Sequence, residues 1–221
     1  MKKFLISATL FCGFVSPSFA ADTISTLPPA GFVWTGGYVG LQAGYGWGDS
    51  HLLVTGNGNY ADPDPDGFVG GIYGGYNYQL ANNFVLGTDL DLNYSNVKGN
   101  GDGYFPSGVL FGGVTVNGDL KWSGSARVRA GYAMDRLLPY IAGGVAFGRY
   151  EVRADDHGLV TTDQRTMIGW TLGAGVDYAF TDKLVGRLEY RYTDYGHKTF
   201  ADVYDVDLKT NELRIGLAYK F

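Results

Sequence analysis

The ten residues from Glu212 to Phe221 alternate between a charged or small side chain and an apolar one. Successive side chains of a β-strand point to opposite faces, so the pattern predicts a strand with one polar and one apolar face. A soluble protein has little reason to end a strand on an aromatic residue, whereas a transmembrane barrel can close its sheet with such a strand and leave no unpaired edge. We therefore expect a membrane barrel, with Phe221 as the terminal residue used in barrel assembly.

The first twenty residues have the pattern of a secretory signal. Lys2 and Lys3 precede an apolar run over 4–15, and small residues follow up to Ala20. The run is too short to cross a bilayer as a helix, and the small residues predict cleavage between Ala20 and Ala21. The single cysteine lies within the run, so the predicted mature chain uses no disulfides, although it is exported to an oxidising compartment.

Composition narrows the class of protein. The chain has 35 glycines, 17 tyrosines and 13 phenylalanines among 221 residues, and 18% of its residues are charged. It has no second apolar run long enough for a membrane-spanning helix, so a membrane protein of this composition has to be a barrel. Loss of the signal would remove two lysines and change the formal net charge from −5 to −7, which argues against nucleic-acid binding.

Eight stretches of the mature chain alternate with period two and are predicted as strands. Three connections between them are tight, and four are long, near 49–66, 96–118, 153–165 and 195–209. Antiparallel strands would place all four long loops at one end. The Gly-Gly pair within 109–116 predicts a hairpin of its own. The predicted strands are Gly37–Gly48, Gly67–Leu80, Phe84–Ser95, Asp119–Met134, Leu137–Val152, Thr166–Phe180, Leu184–Asp194 and Thr210–Phe221.

These elements predict one all-β domain. A signal peptide over 1–20 and an extended lead-in over 21–33 precede an eight-stranded antiparallel, up-and-down transmembrane barrel over 34–221. We expect this barrel in the cell outer membrane, with the long loops extracellular and both mature termini periplasmic.

Side-chain size indicates which face of the strands points outward. One face carries large apolar residues such as Leu41, Trp170 and Ile215, and the other carries glycines such as Gly40 and Gly173. Large side chains from every strand would overfill an eight-stranded barrel, so the apolar face is predicted to contact lipid. Tyrosines and tryptophans near the strand ends predict an aromatic girdle at the bilayer boundaries, although β-propensity alone also enriches aromatic residues. The girdle set includes Trp34, Tyr38, Trp47, Trp122 and Tyr195.

Charged residues share the predicted inner face of neighbouring strands. An ion in a poorly hydrated cavity is costly unless it is paired, so interleaved acids and arginines predict a lumen filled by salt bridges, and a structural plug is favoured over an ion path. Eight strands leave room for side chains rather than for a wide aqueous channel. The predicted network consists of Asp89, Asp91, Arg127, Arg129, Arg187, Glu189, Arg191, Glu212 and Arg214.

Several segments resemble one known family. Gly169–Tyr178, Gly186–Gly196 and Arg214–Phe221, with the strand starts Trp34–Tyr38 and Gly67–Gly71, are similar to the RopB-type major outer-membrane antigens of alphaproteobacteria. The resemblance covers essentially the whole mature chain. It implies an eight-stranded outer-membrane barrel that maintains the envelope and contacts a host at the surface, and it implies no catalytic residues. The implied partners are outer-membrane lipids, lipopolysaccharide, the barrel assembly machinery and a host surface.

Two other functions remain open at this point. The chain could be a narrow porin, or it could bind haemin, because imidazoles can ligate iron and His51, His157 and His197 all lie in predicted long loops. An enzyme is not expected, because a hydrolase needs a nucleophile or acid beside a histidine base, and no serine motif accompanies these histidines. No resident metal or other cofactor is predicted.

Overall fold

The computed structural model describes residues 31–54, 59–61, 65–105, 107, 110–156, 159–200 and 204–221. No helix long and apolar enough to cross a membrane occurs in these residues. The strands are β1 (Gly36–Val54), β2 (Tyr60–Ala61), β3 (Asp66–Gln79), β4 (Phe84–Tyr104), β5 (Leu110–Tyr132), β6 (Leu137–Asp156), β7 (Leu159–Ala179), β8 (Leu184–Phe200) and β9 (Tyr204–Lys220).

Eight long strands form a closed antiparallel barrel, which confirms the predicted fold class. Each long strand pairs with the next long strand, so that β1 pairs with β3, and β1 also pairs with β9 from Tyr38 opposite Lys220 to Val54 opposite Tyr204. The two-residue β2 is an addition at the edge of β1 and β4. Closure gives every long strand two neighbours, so the barrel has no open edge along these strands.

Three tight turns lie at one end of the barrel. They join β3 to β4, β5 to β6 and β7 to β8 over 80–83, 133–136 and 180–183. Asn83 and Asp135 adopt positive φ angles of 65° and 53°, which asparagine and aspartate tolerate better than most residues. These two turns therefore have residues that suit their backbone conformation.

The outward face of the barrel carries an apolar band. Its members are large and solvent-accessible in the isolated chain, as with Leu41, Ile168 and Ile215, whereas the inward positions hold glycine, serine and charged residues. Three of the aromatic residues assigned above to the girdle are instead buried: Trp34, Tyr38 and Tyr195. Tyr38 and Tyr195 lie at inward-facing positions of their strands, and Trp34 precedes β1 and folds into the mouth of the barrel.

The strands continue far beyond the apolar band at the end opposite the tight turns. β4 and β5 have 21 and 23 residues, whereas a tilted strand crosses a bilayer with about 9–11. Taken together, the four segments predicted as long loops consist mostly of residues in paired strands. The prediction of a separate hairpin at Gly112-Gly113 is wrong. β5 runs through these glycines, and Tyr104 pairs with Leu110.

Candidate functional site

The interior of the barrel holds a cluster of paired charges, which we call the lumen network. It contains five arginines and five carboxylates, so its formal charges sum to zero. All ten side chains are buried. Each member comes from an inward-facing position of β4, β5, β7, β8 or β9. The members are Asp89, Asp91, Arg127, Arg129, Asp177, Arg187, Glu189, Arg191, Glu212 and Arg214.

Glu189 lies at the centre of the lumen network. Its carboxylate accepts hydrogen bonds from both terminal nitrogens of Arg127, at 2.9 and 3.0 Å, and from the Nε of Arg191 at 2.9 Å. The hydroxyl of Tyr140 donates a further bond of 2.7 Å. Arg127 belongs to β5 and Glu189 to β8, so this contact crosses the lumen instead of joining neighbouring strands.

The part of the network nearer the tight turns is built on two aspartates. Asp177 accepts from Arg129 at 2.7 Å and from the Nε of Arg187 at 2.8 Å. Asp89 contacts Arg187 at 3.2 Å and Arg127 at 3.3 Å, and it also accepts a bond from the hydroxyl of Tyr38. Each carboxylate is therefore shared by two guanidinium groups, which satisfies several lone pairs at once.

The opposite part of the network is built on Asp91. Arg191 approaches its carboxylate at 3.0 Å and Arg214 at 3.4 Å, and the hydroxyl of Ser125 donates to it. Glu212 completes this part by pairing with Arg214 on its own strand. These contacts, with those of Glu189, join the two halves into one continuous network.

Tyrosine rings cover the arginines that lie nearest the tight turns. The guanidinium carbon of Arg129 lies 3.7 Å from the ring centroid of Tyr140, and that of Arg187 lies 4.4 Å from the centroid of Tyr73. A ring face attracts a cation through its quadrupole, and the attraction grows where water is excluded. The rings thus offset part of the desolvation of the two arginines.

Apolar layers lie above and below the charges. The lower layer, nearest the tight turns, we call the floor, and the upper layer we call the ceiling. The floor consists of Phe32, Trp34, Val85, Ala133, Leu138, Ala179 and Val185. The ceiling consists of Val69, Val97, Leu120, Ala146, Tyr150, Met167, Tyr195, Val206 and Leu208.

All nine residues predicted for the lumen lie in this network. Sequence reasoning missed the carboxylate of Asp177, the hydroxyl of Tyr38 and the rings of Tyr73 and Tyr140. Asp177 follows Gly173 and Gly175 at the spacing of two that marks an inward position, so the period-two pattern already contained its signal. The cross-lumen contact of Arg127 with Glu189 had no such signal, because the barrel's curvature decides which strands face each other.

The histidines do not form one site in the described residues. His51 and His197 lie on the exposed outer face of β1 and β8, each opposite Asp207 of β9. His197 approaches the Asp207 carboxylate at 3.4 Å. His157 lies outside the described residues, as do Ala20 and Ala21 of the predicted cleavage site. No group of three or more His, Cys, Asp or Glu side chains in the described part of the chain is arranged to hold a metal ion.

The predicted terminal residue continues the barrel wall beyond β9. The backbone N–H of Phe221 donates to the carbonyl oxygen of Gly37 at 2.9 Å, so it adds a rung to the pairing that closes the barrel. Its side chain is exposed on the outer face, and its ring centroid lies 5.2 Å from that of Tyr219.

Known proteins resemble this chain over nearly its whole length. Residues 16–221 match the family described as the outer membrane protein beta-barrel domain. The 31 kDa outer-membrane immunogenic protein of Brucella melitensis is 34% identical, with 99% of this chain and 100% of the relative covered. The 22 kDa outer membrane protein of Rhizobium leguminosarum is 35% identical, with 87% and 80% covered.

A solved structure also resembles this chain, and its likeness bears on the fold alone. The outer membrane protease OmpT of Escherichia coli is 9% identical, covers 88% of this chain and 99% of its own, and has a TM-score of 0.53. The sequence relatives named above are called outer-membrane proteins and immunogens rather than enzymes. These matches confirm the resemblance to alphaproteobacterial surface antigens and the location in the outer membrane. The chain belongs to the outer-membrane protein β-barrel family.

Proposed function

We propose that this protein is a non-enzymatic structural barrel that supports the integrity of the outer membrane, and that its lumen is plugged by the lumen network. One observation carries the proposal: ten buried charges that sum to zero lie between two apolar layers. A conducting pore would need a continuous hydrated path, and hydrophobic constrictions oppose one by excluding water. The paired charges would instead hold opposite walls of the barrel together.

A conductance recording tests the plug. The refolded protein, inserted into a planar bilayer, is expected to give no steady single-channel current. A steady current whose ion selectivity changes in Glu189→Gln would overturn the plug and establish the narrow porin instead, because charged lumen residues tune selectivity in open barrels.

We also propose that the four strand hairpins beyond the apolar band present surfaces to a host or to the environment. Among the described side chains beyond the band, Lys98, Arg149 and Asp207 are exposed on the outer face. A variant in which β4 and β5 are joined by a tight turn just beyond Tyr94 and Trp122 should fold but lose binding to host-cell surfaces. Unchanged binding to host cells would mean that the hairpin of β4 and β5 does not make the host contact.

We propose the remaining partners on the basis of the barrel's location. Lipid acyl chains would cover the apolar band, lipopolysaccharide would contact its outer edge, and the barrel assembly machinery would insert the chain, with Phe221 as its terminal residue. Haemin is a separate candidate ligand, tested by spectroscopic titration. An absorbance shift that disappears in His51→Ala, His157→Ala or His197→Ala would support it, and no shift in the parent protein would remove it.

A further inference from the structure

Residues 31–35 cross the mouth of the barrel at its tight-turn end. We call this segment the strap. Trp34 is only 1% exposed and packs within the floor, and Phe32 meets it edge to face, with ring centroids 4.7 Å apart. Buried aromatic rings contribute a large apolar area, so these two side chains add to the floor's apolar packing.

The strap is held by specific polar contacts as well as by its rings. The backbone N–H of Phe32 donates to the Asp135 carboxylate at 2.9 Å, and the indole N–H of Trp34 donates to the Asp135 carbonyl oxygen at 2.9 Å. The backbone N–H of Trp34 donates to the side-chain oxygen of Gln79 at 2.8 Å, and the backbone N–H of Gln79 donates to the hydroxyl of Thr35 at 2.9 Å. Backbone and side-chain groups of the mouth thus hold the strap by four hydrogen bonds.

Cations at the mouth contact the Phe32 ring. The guanidinium of Arg136 lies 5.6 Å and the ammonium of Lys220 lies 5.4 Å from its centroid. Gly36, where the strap joins β1, has a φ of 141°, a conformation that glycine adopts far more readily than other residues. A Cβ there would lie 2.8 Å from the Phe221 carbonyl oxygen. The strap therefore leaves the barrel wall at a junction suited to glycine.

A small chamber lies directly behind the strap. Its volume is about 10 Å³, which is close to the space that one water molecule needs. Trp34 lines its outer side, and Asp177 and Arg187 of the lumen network line its inner side. The side chains of Tyr73 and Asn77 also line it.

We infer that the mouth is a binding site for an extended aromatic peptide, which the chain fills with its own Phe32-Val33-Trp34, and that this docked strap seals a one-water chamber from the periplasm. The seal is distinct from the lumen network: removing the strap would open the chamber and leave the charges and the ceiling in place.

Cysteine accessibility tests the seal. In a Cys12→Ser background, the full chain carries a single new cysteine, either Asn77→Cys in the chamber or Val206→Cys in the ceiling. A small, water-soluble thiol reagent is applied to the refolded barrel. We expect Trp34→Ala to raise the labelling rate of Asn77→Cys at least about tenfold, which corresponds to ~1.4 kcal/mol in the opening equilibrium, and to leave Val206→Cys unchanged.

A second variant covers the case in which Trp34→Ala does not fold. Asp135→Gly keeps a residue that tolerates the turn's positive φ, and it removes the carboxylate that holds the Phe32 N–H. It should also speed the labelling of Asn77→Cys. The inference is overturned if neither strap variant changes this rate, or if Val206→Cys accelerates equally, because the strap would then stabilise the whole barrel instead of sealing one chamber.

Discussion

Glu189→Gln should strongly destabilise the barrel. Glu189 is 1% exposed and bonds to Arg127, Arg191 and Tyr140. Glutamine has nearly the same volume, but it offers one acceptor oxygen in place of two, and it leaves the lumen network with one unbalanced positive charge. Breaking a buried ion pair on one side costs roughly 3–5 kcal/mol where the site is dry, and less where water enters.

Urea-induced unfolding of the refolded protein in detergent measures this cost. With a slope of roughly 2 kcal/mol per molar urea, as for small proteins, the midpoint should fall by about 1.5–2.5 M. Asp182→Asn is the matched control. It removes a carboxylate that pairs with Arg136 at 2.9 Å on an exposed turn, where ion pairs contribute little.

Two results would refute this reasoning. The first is a Glu189→Gln midpoint equal to that of Asp182→Asn, which would mean that water solvates the stranded charge. The second concerns Glu189→Gln combined with Arg191→Gln, which restores the charge balance. This double variant should lose less stability than the sum of the losses in the two single variants. A loss equal to that sum would show that charge balance is not the source of the effect.

Three further predictions concern the closed sheet. An unboiled sample should migrate differently from a boiled one on a denaturing gel, because a barrel without an edge resists detergent; identical migration would contradict the closed barrel. Gly40→Ala should lower the free energy of unfolding by about 1–3 kcal/mol, because its Cβ would clash with the Leu217 carbonyl oxygen. Gly70→Ala, whose Cβ would lie 3.8 Å from the Gln42 carbonyl oxygen, should match the parent in a urea titration. Deletion of Phe221 should reduce the amount of folded barrel, measured as protein whose gel migration changes on boiling, that is recovered from outer membranes. An unchanged amount would show that Phe221 is not needed for assembly.

The alternation of side chains predicted the barrel because lipid imposes it. Outward positions of the membrane-crossing part must be apolar, so the eight strands and their outer face follow from residues such as Leu41 and Ile215. Beyond the band the outer face is polar, as at Lys98, and apolar residues such as Val97 and Val206 point inward into the ceiling. The apolar-outward pattern therefore ends there while backbone pairing continues. This is why β4 and β5 extend well past the ends predicted for them.

The sequence predicts which charged residues point into the barrel, but it predicts only in part which of them form pairs. Period two identifies the inward carboxylates, and applied consistently it also places Asp177, Tyr38 and Tyr195 inside. It cannot show that Arg127 reaches Glu189, because that contact depends on the diameter of the closed barrel. The position of Trp34 was missed for another reason: the chain leaves the strand at Gly36, so counting along β1 does not extend to it.

The continuation of paired strands beyond the lipid has a consequence for molecular recognition. On this projecting sheet Asp207 stands beside both His51 and His197, which come from distant parts of the chain. An antibody that binds there would contact three neighbouring strands at once and recognise a discontinuous, conformational epitope. Linear peptides copied from any one strand would lack that surface, and unfolding the barrel by boiling would destroy it.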